Sequence, residues 1–255
     1  MPLILETKSL CKSFDGVIAA DNINVAIEQS ELIGVIGANG AGKTTFVNMI
    51  TGYLKPSNGK IIYNGEDITG FPPRVITRKG ISRSFQIPQL FEELTVLDNM
   101  IVAQTIKNKI FVDPLLPFKN MRKVEIAKDV LKKFNLLRYL DEIVTKLPQG
   151  IKKLLDIAMA VVGEPKLLLL DEPTSGVAIE EKFELMDIVM SGIKDTGAAI
   201  LFIEHDMDII EKYSEKVLAF YDGRIIAQGY TSDVLNNEQV KKFVIGFEIG
   251  KEEIN

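Results

Sequence analysis

The segment Gly37–Thr44 constrains the fold more than any other part of this chain. Its residues, Gly-Ala-Asn-Gly-Ala-Gly-Lys-Thr, match the pattern G-x-x-x-x-G-K-[ST]. The apolar run Leu32–Gly37 predicts a buried strand before it, and we predict a helix from Lys43 to Tyr53 after it. A glycine-rich turn between a strand and a helix directs backbone N–H groups at phosphate oxygens, and the helix N-terminus adds a partial positive charge. The segment therefore predicts a phosphate-binding loop.

Two side chains of this loop are expected to act on a bound nucleotide. Lys43 would reach the β- and γ-phosphates, and the hydroxyl of Thr44 would bind Mg²⁺. The alternative is a hairpin turn at Asn39-Gly40, which leaves the following Gly-Lys-Thr unexplained. The order of the glycines also differs from the G-x-G-x-x-G of dinucleotide-binding folds. The expected nucleotide contacts are Gly37, Ala38, Asn39, Gly40, Ala41, Gly42, Lys43, Thr44 and Thr45.

A second motif places two carboxylates at the end of an apolar strand. The run Leu167–Leu170 predicts a strand buried on both faces, and Asp171 and Glu172 follow it directly. Open α/β sheets bind their ligands at the carboxyl ends of strands. We therefore expect Asp171 to hold Mg²⁺, directly or through another ligand, and Glu172 to take a proton from the attacking water. The alternative is a strand end with two solvated acids.

Two further polar residues follow predicted strands, and each has an ordinary alternative. His205, the only histidine, comes directly after the run Ala198–Glu204 and could hydrogen-bond a γ-phosphate oxygen. A structural histidine is the alternative. Gln86 follows Ile81–Phe85, and its amide could reach Mg²⁺ or the attacking water. A surface glutamine is the alternative.

Composition and charge exclude several classes of protein. The chain has 255 residues, 46% of them apolar and 25% charged, so neither disorder nor coiled coil is the main architecture. Its formal net charge of −5 offers no field for nucleic acid, and we expect no nucleic-acid partner. The apolar runs are shorter than the ~20 residues of a spanning helix, and the first residues do not resemble a signal peptide. The single cysteine, Cys11, fits a reducing compartment, so we expect a cytoplasmic protein.

Alternating strand and helix patterns predict an α/β fold with a parallel sheet between helices. Residues 90–160, rich in Leu, Ile and Lys, predict a mostly helical subdomain that Pro114 and Pro117 interrupt. Hairpin turns are expected at Asp15-Gly16, Asn64-Gly65 and Asp222-Gly223. Later strands are expected at Leu167–Asp171, Ala198–Glu204 and Val217–Tyr221, with helices near 179–194 and 206–213.

The order and spacing of these motifs resemble the ATP-binding cassette (ABC) family over about residues 3–245. The resemblance implies that Gln86 is the Q-loop residue, that Asp171 and Glu172 are the Walker B pair, and that His205 is the H-loop residue. It also places Phe14 where the family has an aromatic side chain that stacks on adenine, with a core phenylalanine as the alternative. ATP and Mg²⁺ are then the expected cofactors.

The resemblance also implies a P-loop NTPase fold, in which a RecA-like core carries an antiparallel β-subdomain and a helical subdomain. ATP would lie between two such subunits, on the inner face of the cell membrane. Integral-membrane permease subunits would be separate chains, and a solute-binding protein would act indirectly. Within a single domain of residues 1–255, the expected bounds are about 1–30 and 58–70 for the β-subdomain, 31–57, 71–89 and 162–230 for the core, 90–161 for the helical subdomain, and 231–255 for a C-terminal helical tail.

Within this family, the segments Gly80–Gln86 and Leu94–Asn99 resemble the ATPase subunits of branched-chain amino acid importers, as does the tail Gly229–Gly246. Close relatives serve urea import and lipopolysaccharide export, so a urea-type or export-type ATPase stays open. A chromosome or repair ATPase is disfavoured because no sustained heptads separate Lys43 from Asp171.

Two departures from the family pattern concern the expected dimer. The signature, usually Leu-Ser-Gly-Gly-Gln, aligns with Leu147–Ile151, where Pro148 replaces the serine that donates to the γ-phosphate of the opposing subunit. Leu147 and Gly150 remain expected nucleotide contacts. Ala178 stands where an Asp or Asn usually ends the loop after Walker B. These departures favour a heterodimer with a second, different cassette over a homodimer, and a hydrolytically weak regulatory cassette is the alternative.

The segment Lys119–Arg138 holds seven basic residues and two acidic ones. A solvated helix face is the ordinary interpretation of such a pattern. The alternative is a surface near anionic lipid headgroups, beneath a membrane partner.

Overall fold

The structure is a computed structural model that describes residues 2–107 and 121–246. The strands are β1 Leu3–Phe14, β2 Val17–Glu28, β3 Leu32–Ile36, β4 Asn58–Tyr63, β5 Glu66–Asp67, β6 Ile81–Ser84, β7 Leu167–Asp171, β8 Ala199–Ile203, β9 Lys216–Tyr221 and β10 Arg224–Tyr230. The α-helices are α1 Lys43–Ile50, α2 Pro73–Lys79, α3 Val96–Lys107, α4 Met121–Lys133, α5 Gln149–Val161, α6 Ile179–Ile193, α7 Met207–Tyr213, α8 Thr231–Asn236 and α9 Glu238–Val240. Short 3₁₀-helices are Leu137–Tyr139, Val144–Lys146 and Lys194–Thr196, and a π-helical turn is Lys241–Ile245.

The chain divides into two compact units. The first comprises Met1–Ile76 and Ala199–Asn255, and the second comprises Thr77–Ala198. The predicted RecA-like core contributes residues to both units, so the predicted subdomain bounds stay a prediction. Among the described residues, none of the helices combines the length and the apolar character needed to cross a bilayer.

The first unit contains an antiparallel sheet with the strand order β2-β1-β4-β5. The predicted hairpin turns at Asp15-Gly16 and Asn64-Gly65 are confirmed, because each joins an antiparallel pair and both residues of each turn have positive φ. Asp222-Gly223 joins β9 and β10 in the same way. Asx-Gly is the dipeptide that fits this turn, since glycine adopts positive φ freely and Asn and Asp adopt it more readily than other residues do.

The same unit contains strands in the order β10-β9-β3-β8, in which β3 pairs parallel with both neighbours. Strands β3 and β8 are buried almost throughout, which explains their continuous apolar runs. Helix α1 covers the sheet with Phe46, whose ring centroid lies 5.5 Å from that of Phe220 on β9. This packing fixes the end of β3 against the start of α1, where the phosphate loop was predicted.

The second unit pairs β6 with β7 in parallel and carries four of the longer helices. The prediction of helices between residues 90 and 160 is confirmed for the part of that segment that is described. The predicted break at Pro114 and Pro117, Lys119 of the basic segment and the tail beyond residue 246 lie outside the described residues.

One helix prediction differs from the structure, and one helix was not predicted. Helix α1 ends at Ile50 rather than Tyr53, because Gly52 has φ 77° and a Cβ there would lie 2.3 Å from the carbonyl oxygen of Phe71. Helix α2 was not predicted. It begins at Pro73, and proline is common at the first helical position because its φ is already helical.

Candidate functional site

The predicted phosphate loop connects β3 to α1 in the first unit. Gly37, Gly40 and Gly42 have φ values of 147°, 82° and 102°, which side chains with a Cβ rarely adopt. A Cβ on Gly37 would lie 2.4 Å from the carbonyl oxygen of Phe220, and a Cβ on Gly42 would lie 2.7 Å from that of Ala19. Gly37 and Gly42 are therefore required by the packing around the loop as well as by its turns, whereas Gly40 is required by its turn alone.

The β9–β10 turn supports the loop from the side. The N–H of Gly223 donates to the carbonyl oxygen of Ala41 at 3.0 Å, and the N–H of Asp21 donates to that of Gly223 at 2.8 Å. The guanidinium of Arg224 donates to the carboxylate of Asp21. A turn and the strand beside it thus hold the loop in place through the carbonyl oxygen of Ala41.

Lys43 is buried, and its ammonium donates to the carbonyl oxygens of Gly37 and, at 3.1 Å, Ala38. This position keeps the charge inside the loop at the N-terminus of α1, where phosphate oxygens would be bound. Thr44 and Asn39 are exposed, and Thr45 is half-buried.

Phe14 ends β1 and is 46% exposed, so the alternative of a core phenylalanine is wrong. The ammonium of Lys12 lies 4.9 Å from the centroid of its ring. A ring that is open to solvent on a strand end can stack on a planar ligand.

His205 lies two residues beyond the end of β8 and is half-buried. Its N–H approaches the carboxylate of Glu204, which is almost fully buried, at 3.3 Å. The structure places the imidazole after a buried strand, as expected, and its contact with a phosphate stays a prediction.

In the second unit, the structure brings Gln86 and Glu172 together. The side-chain amide of Gln86 donates to the carboxylate of Glu172 at 2.7 Å, although 86 residues separate them. Glu172 has φ 48°, a backbone conformation that costs of order 1–3 kcal/mol for a residue other than glycine and that collects at functional sites. The amide therefore orients the carboxylate that we predict as the base.

Asp171 is buried at the end of β7 and pairs with a residue that the sequence analysis did not assign. The guanidinium of Arg83 on β6 donates to its carboxylate at 2.5 Å, and both side chains are less than one-tenth exposed. Strands β6 and β7 lie in register, with Arg83 beside Leu169, so the long arginine reaches one pleat further. A buried carboxylate generally needs a paired cation, and Arg83 supplies it for Asp171. Nothing in the local sequence pattern identifies this arginine as the partner.

The residues predicted to bind Mg²⁺ have suitable atoms, because Mg²⁺ prefers oxygen ligands. Part of its coordination shell is usually filled by phosphate oxygens and water. The predicted ligands are the hydroxyl of Thr44 in the first unit and, in the second unit, the amide oxygen of Gln86 and the carboxylate of Asp171. No group of three or more His, Cys, Asp or Glu side chains that could hold a metal ion is found in the described part of the chain.

The variant signature begins helix α5. Pro148 occupies the N-cap position, is exposed and offers no side-chain acceptor, whereas Leu147 is buried and Gly150 half-buried. Ala178 occupies the N-cap of α6, also without a side-chain hydrogen bond. Both departures therefore stand at helix starts, where backbone N–H groups point outward.

Two buried charges on α5 were also missed by the sequence analysis. Lys153 donates to main-chain oxygens of the Gln86 and Glu172 segments, and Asp156 accepts from main-chain N–H groups around Gln86. In the sequence they form part of an ordinary amphipathic pattern. Only their burial distinguishes them from surface charges.

Three comparisons place this geometry among known proteins. The family model described as ABC transporter matches residues 20–175. The chain is 36% identical to the probable branched-chain amino acid transport ATP-binding protein of Archaeoglobus fulgidus, over 95% of each chain. It is 32% identical to the high-affinity branched-chain amino acid transport ATP-binding protein BraF of Pseudomonas aeruginosa, over 95% of this chain and 98% of the relative. A crystal structure of the ADP conformation of an ATP-binding cassette of an ABC transporter matches with a TM-score of 0.85 and 31% identity, over 95% of this chain and 98% of the other.

Proposed function

This chain belongs to the ABC transporter family, and we propose that it is the ATPase subunit of an importer of branched-chain amino acids. Both relatives described above are named as ATP-binding proteins of branched-chain amino acid transport. The observation that best supports hydrolysis is the hydrogen bond of 2.7 Å from Gln86 to Glu172. A carboxylate held by an amide is oriented to accept a proton from water.

Each of the proposed site residues has its own role in ATP hydrolysis. The N–H groups of the phosphate loop and the ammonium of Lys43 bind the phosphates of ATP, and Phe14 stacks on the adenine. Glu172 accepts the proton of the attacking water while Gln86 holds its carboxylate, and His205 hydrogen-bonds the γ-phosphate. Mg²⁺, when bound, neutralises charge on the phosphate oxygens, and Thr44, Gln86 and Asp171 would hold it.

The family and the variant signature support a proposal about the partners. We propose that the chain acts in the cytoplasm on the inner face of the cell membrane, bound to permease subunits, with a solute-binding protein supplying the transported solute. We further propose a heterodimer with a second, different cassette. In a homodimer each ATP would meet Pro148 in place of a hydroxyl, at a loss of about 1.5–3 kcal/mol per hydrogen bond to a charged group.

Reconstitution tests this assignment. We expect low ATPase activity from the purified chain, and strong stimulation when its permease and a second cassette are added in lipid vesicles. Vesicles supplied with the binding protein should take up leucine, isoleucine or valine and not urea. Full activity as a homodimer on the permease would contradict the heterodimer, and backbone N–H groups near Gly150 would then replace the serine. Urea uptake in place of amino acid uptake would contradict the substrate.

The variant Glu172→Gln tests the base within the same complex. It keeps the shape and the contact with Gln86 but removes the basic carboxylate, so turnover should fall by about 10²–10⁴-fold while ATP still binds. Glu180→Gln, in the exposed first turn of α6, is the matched control. Turnover of Glu172→Gln equal to that of the control would reject Glu172 as the base.

A further inference from the structure

Helix α5 buries two charged side chains in the second unit. Lys153 is 2% exposed and Asp156 is 6% exposed, one helical turn apart. The other buried residues of this helix are all apolar. A buried charge is costly unless hydrogen bonds replace the water that it has lost. The hydrogen-bond partners of Lys153 and Asp156 therefore indicate the role of these two side chains.

Lys153 joins the main chains of the two residues that we assign to water activation. Its ammonium donates to the carbonyl oxygen of Gln86 at 2.5 Å and to that of Glu172 at 3.0 Å. One cation thus holds two separate segments at the point where their side chains hydrogen-bond to each other.

Asp156 holds the same loop on both sides of Gln86. One carboxylate oxygen accepts from the N–H of Phe85 and the other accepts from the N–H of Gln89, each at 3.0 Å. Residues 85–89 lie outside the helices and strands, so these N–H groups have no ladder to pair with. The carboxylate replaces that ladder and fixes the loop that carries Gln86.

On the basis of the proposed function, we propose that Lys153 and Asp156 are positioning residues for ATP hydrolysis. They form a clamp, here called the α5 clamp, that sets the main chains of Gln86 and Glu172 so that the amide and the carboxylate meet. Neither residue touches the reacting atoms. Their effect is on the geometry of the water-activating pair.

The α5 clamp also ties the signature segment to the catalytic pair of the same chain. Helix α5 begins at Gln149, directly after Pro148, and Lys153 lies about one turn further along. A displacement of this helix moves both ends of the clamp, and with them the Gln86 loop and Glu172. Engagement of the signature by a second subunit would therefore reach the catalytic pair through direct hydrogen bonds.

The carboxyl of Asp156 is expensive to keep charged. Burial raises the pKa of Asp156 to about 6, even though the N–H groups of Gln89 and Phe85 and the ammonium of Lys153 all lower it. Lys153 is the charged side chain whose field acts on it. Burial disfavours this charge, and the carboxylate accepts hydrogen bonds from the main chain around Gln86. Such a group fits a role in positioning better than a role in stability.

Lys153→Met tests the clamp in the assembled complex. It removes both donated hydrogen bonds and keeps an unbranched side chain that is shorter than lysine only by the ammonium nitrogen. The turnover number should fall roughly 10–100-fold, the range for lost support of a catalytic group, while ATP affinity stays within about threefold. Lys152→Met is the matched control, since Lys152 is the preceding residue and its ammonium makes a long ion pair of 3.7 Å with the exposed carboxylate of Glu92. The control should leave both quantities unchanged.

A double variant distinguishes positioning from a general structural role. If Lys153 acts through Glu172, then Lys153→Met added to Glu172→Gln should lower the remaining turnover by less than about twofold. Full multiplication of the two losses would overturn the proposal. Equal losses of turnover and ATP affinity in Lys153→Met, or turnover equal to that of the control, would also overturn it.

Two further variants keep the test decisive if Lys153→Met does not fold. Asp156→Asn keeps one acceptor oxygen and should show the same separation of turnover from affinity, and Lys153→Arg should recover part of the turnover because its guanidinium can still donate to two oxygens. Failure of either result would refute the clamp. ATP turnover without amino acid uptake would contradict the proposed substrate alone, whereas full turnover of Glu172→Gln would remove the catalytic pair on which the clamp depends.

Discussion

The raised pKa of Asp156 makes a quantitative prediction about stability. Burial disfavours the charged carboxylate, so the folded protein holds this proton up to about pH 6, whereas the ordinary pKa of an aspartate side chain is 3.8. Below about pH 4 the carboxyl is protonated in both the folded and the unfolded chain. Between these values the unfolded chain binds fewer protons, so the free energy of unfolding falls as pH rises.

The size of this effect follows from the two pKa values. A difference of one in pKa corresponds to about 1.36 kcal/mol, so a pKa that rises from 3.8 to about 6 amounts to about 3 kcal/mol. Asp156 is 6% exposed, so solvent screening does not reduce this figure appreciably. Asp156→Asn removes the titration. Relative to this variant, the wild-type protein should lose about 3 kcal/mol of stability as pH rises from about 4 to above 6.

Urea unfolding at closely spaced pH values between 4 and 8 measures this difference. Other groups titrate in the same range, but they cancel when the two free energies are subtracted. Asp129→Asn, which removes an exposed carboxyl on α4, supplies the baseline. A difference that does not change with pH would refute the argument. A wild-type protein that gains stability as pH rises would show that Lys153 outweighs desolvation.

Three further predictions concern the two units separately. Phe14→Ala should weaken ATP binding by about 1–3 kcal/mol, the range for one stacked base, without lowering the melting temperature, because the ring is exposed. Titration with ATP and a thermal melt check both, and unchanged affinity would remove Phe14 from the site. Gly37→Ala should lower the free energy of unfolding by about 1–3 kcal/mol through backbone strain alone, since φ is 147° at this position. The Cβ would in addition lie 2.4 Å from the carbonyl oxygen of Phe220. Equal urea midpoints for variant and wild type would contradict that packing. Arg83→Met should lower the free energy of unfolding by about 3–5 kcal/mol, because it leaves the buried carboxylate of Asp171 without the guanidinium. A smaller loss in urea unfolding would show that other groups compensate.

The parts of the fold that depend on local chemistry could be predicted from the sequence. The turns at Asp15-Gly16, Asn64-Gly65 and Asp222-Gly223 require positive φ at two adjacent residues, and Asx-Gly supplies it. The phosphate loop likewise follows from its glycines and the strand before it. In each case the residues that determine the structure are neighbours in the chain, so a short pattern carries the information.

Contacts between distant segments could not be predicted in this way. The end of α1 depends on the approach of Phe71 to Gly52, and the contact of Arg83 with Asp171 depends on the register of β6 and β7. The sequence predicted that Gln86 and Glu172 belong to one site, but it did not predict the hydrogen bond between them. Arginine, glycine and glutamine are common residue types, and their partners become apparent only when the strands are aligned.

The α5 clamp shows why such contacts matter for function. Replacing a buried ion pair by apolar side chains is often neutral or stabilising. Lys153 and Asp156 instead hydrogen-bond to main-chain groups, so replacing them by apolar side chains would leave the N–H groups of Phe85 and Gln89 and the carbonyl oxygens of Gln86 and Glu172 without these partners. Each main-chain group left unsatisfied costs about 1–3 kcal/mol. The two charges therefore serve the main chain that they hold, and that main chain carries Gln86 and Glu172, the residues that we propose to activate water.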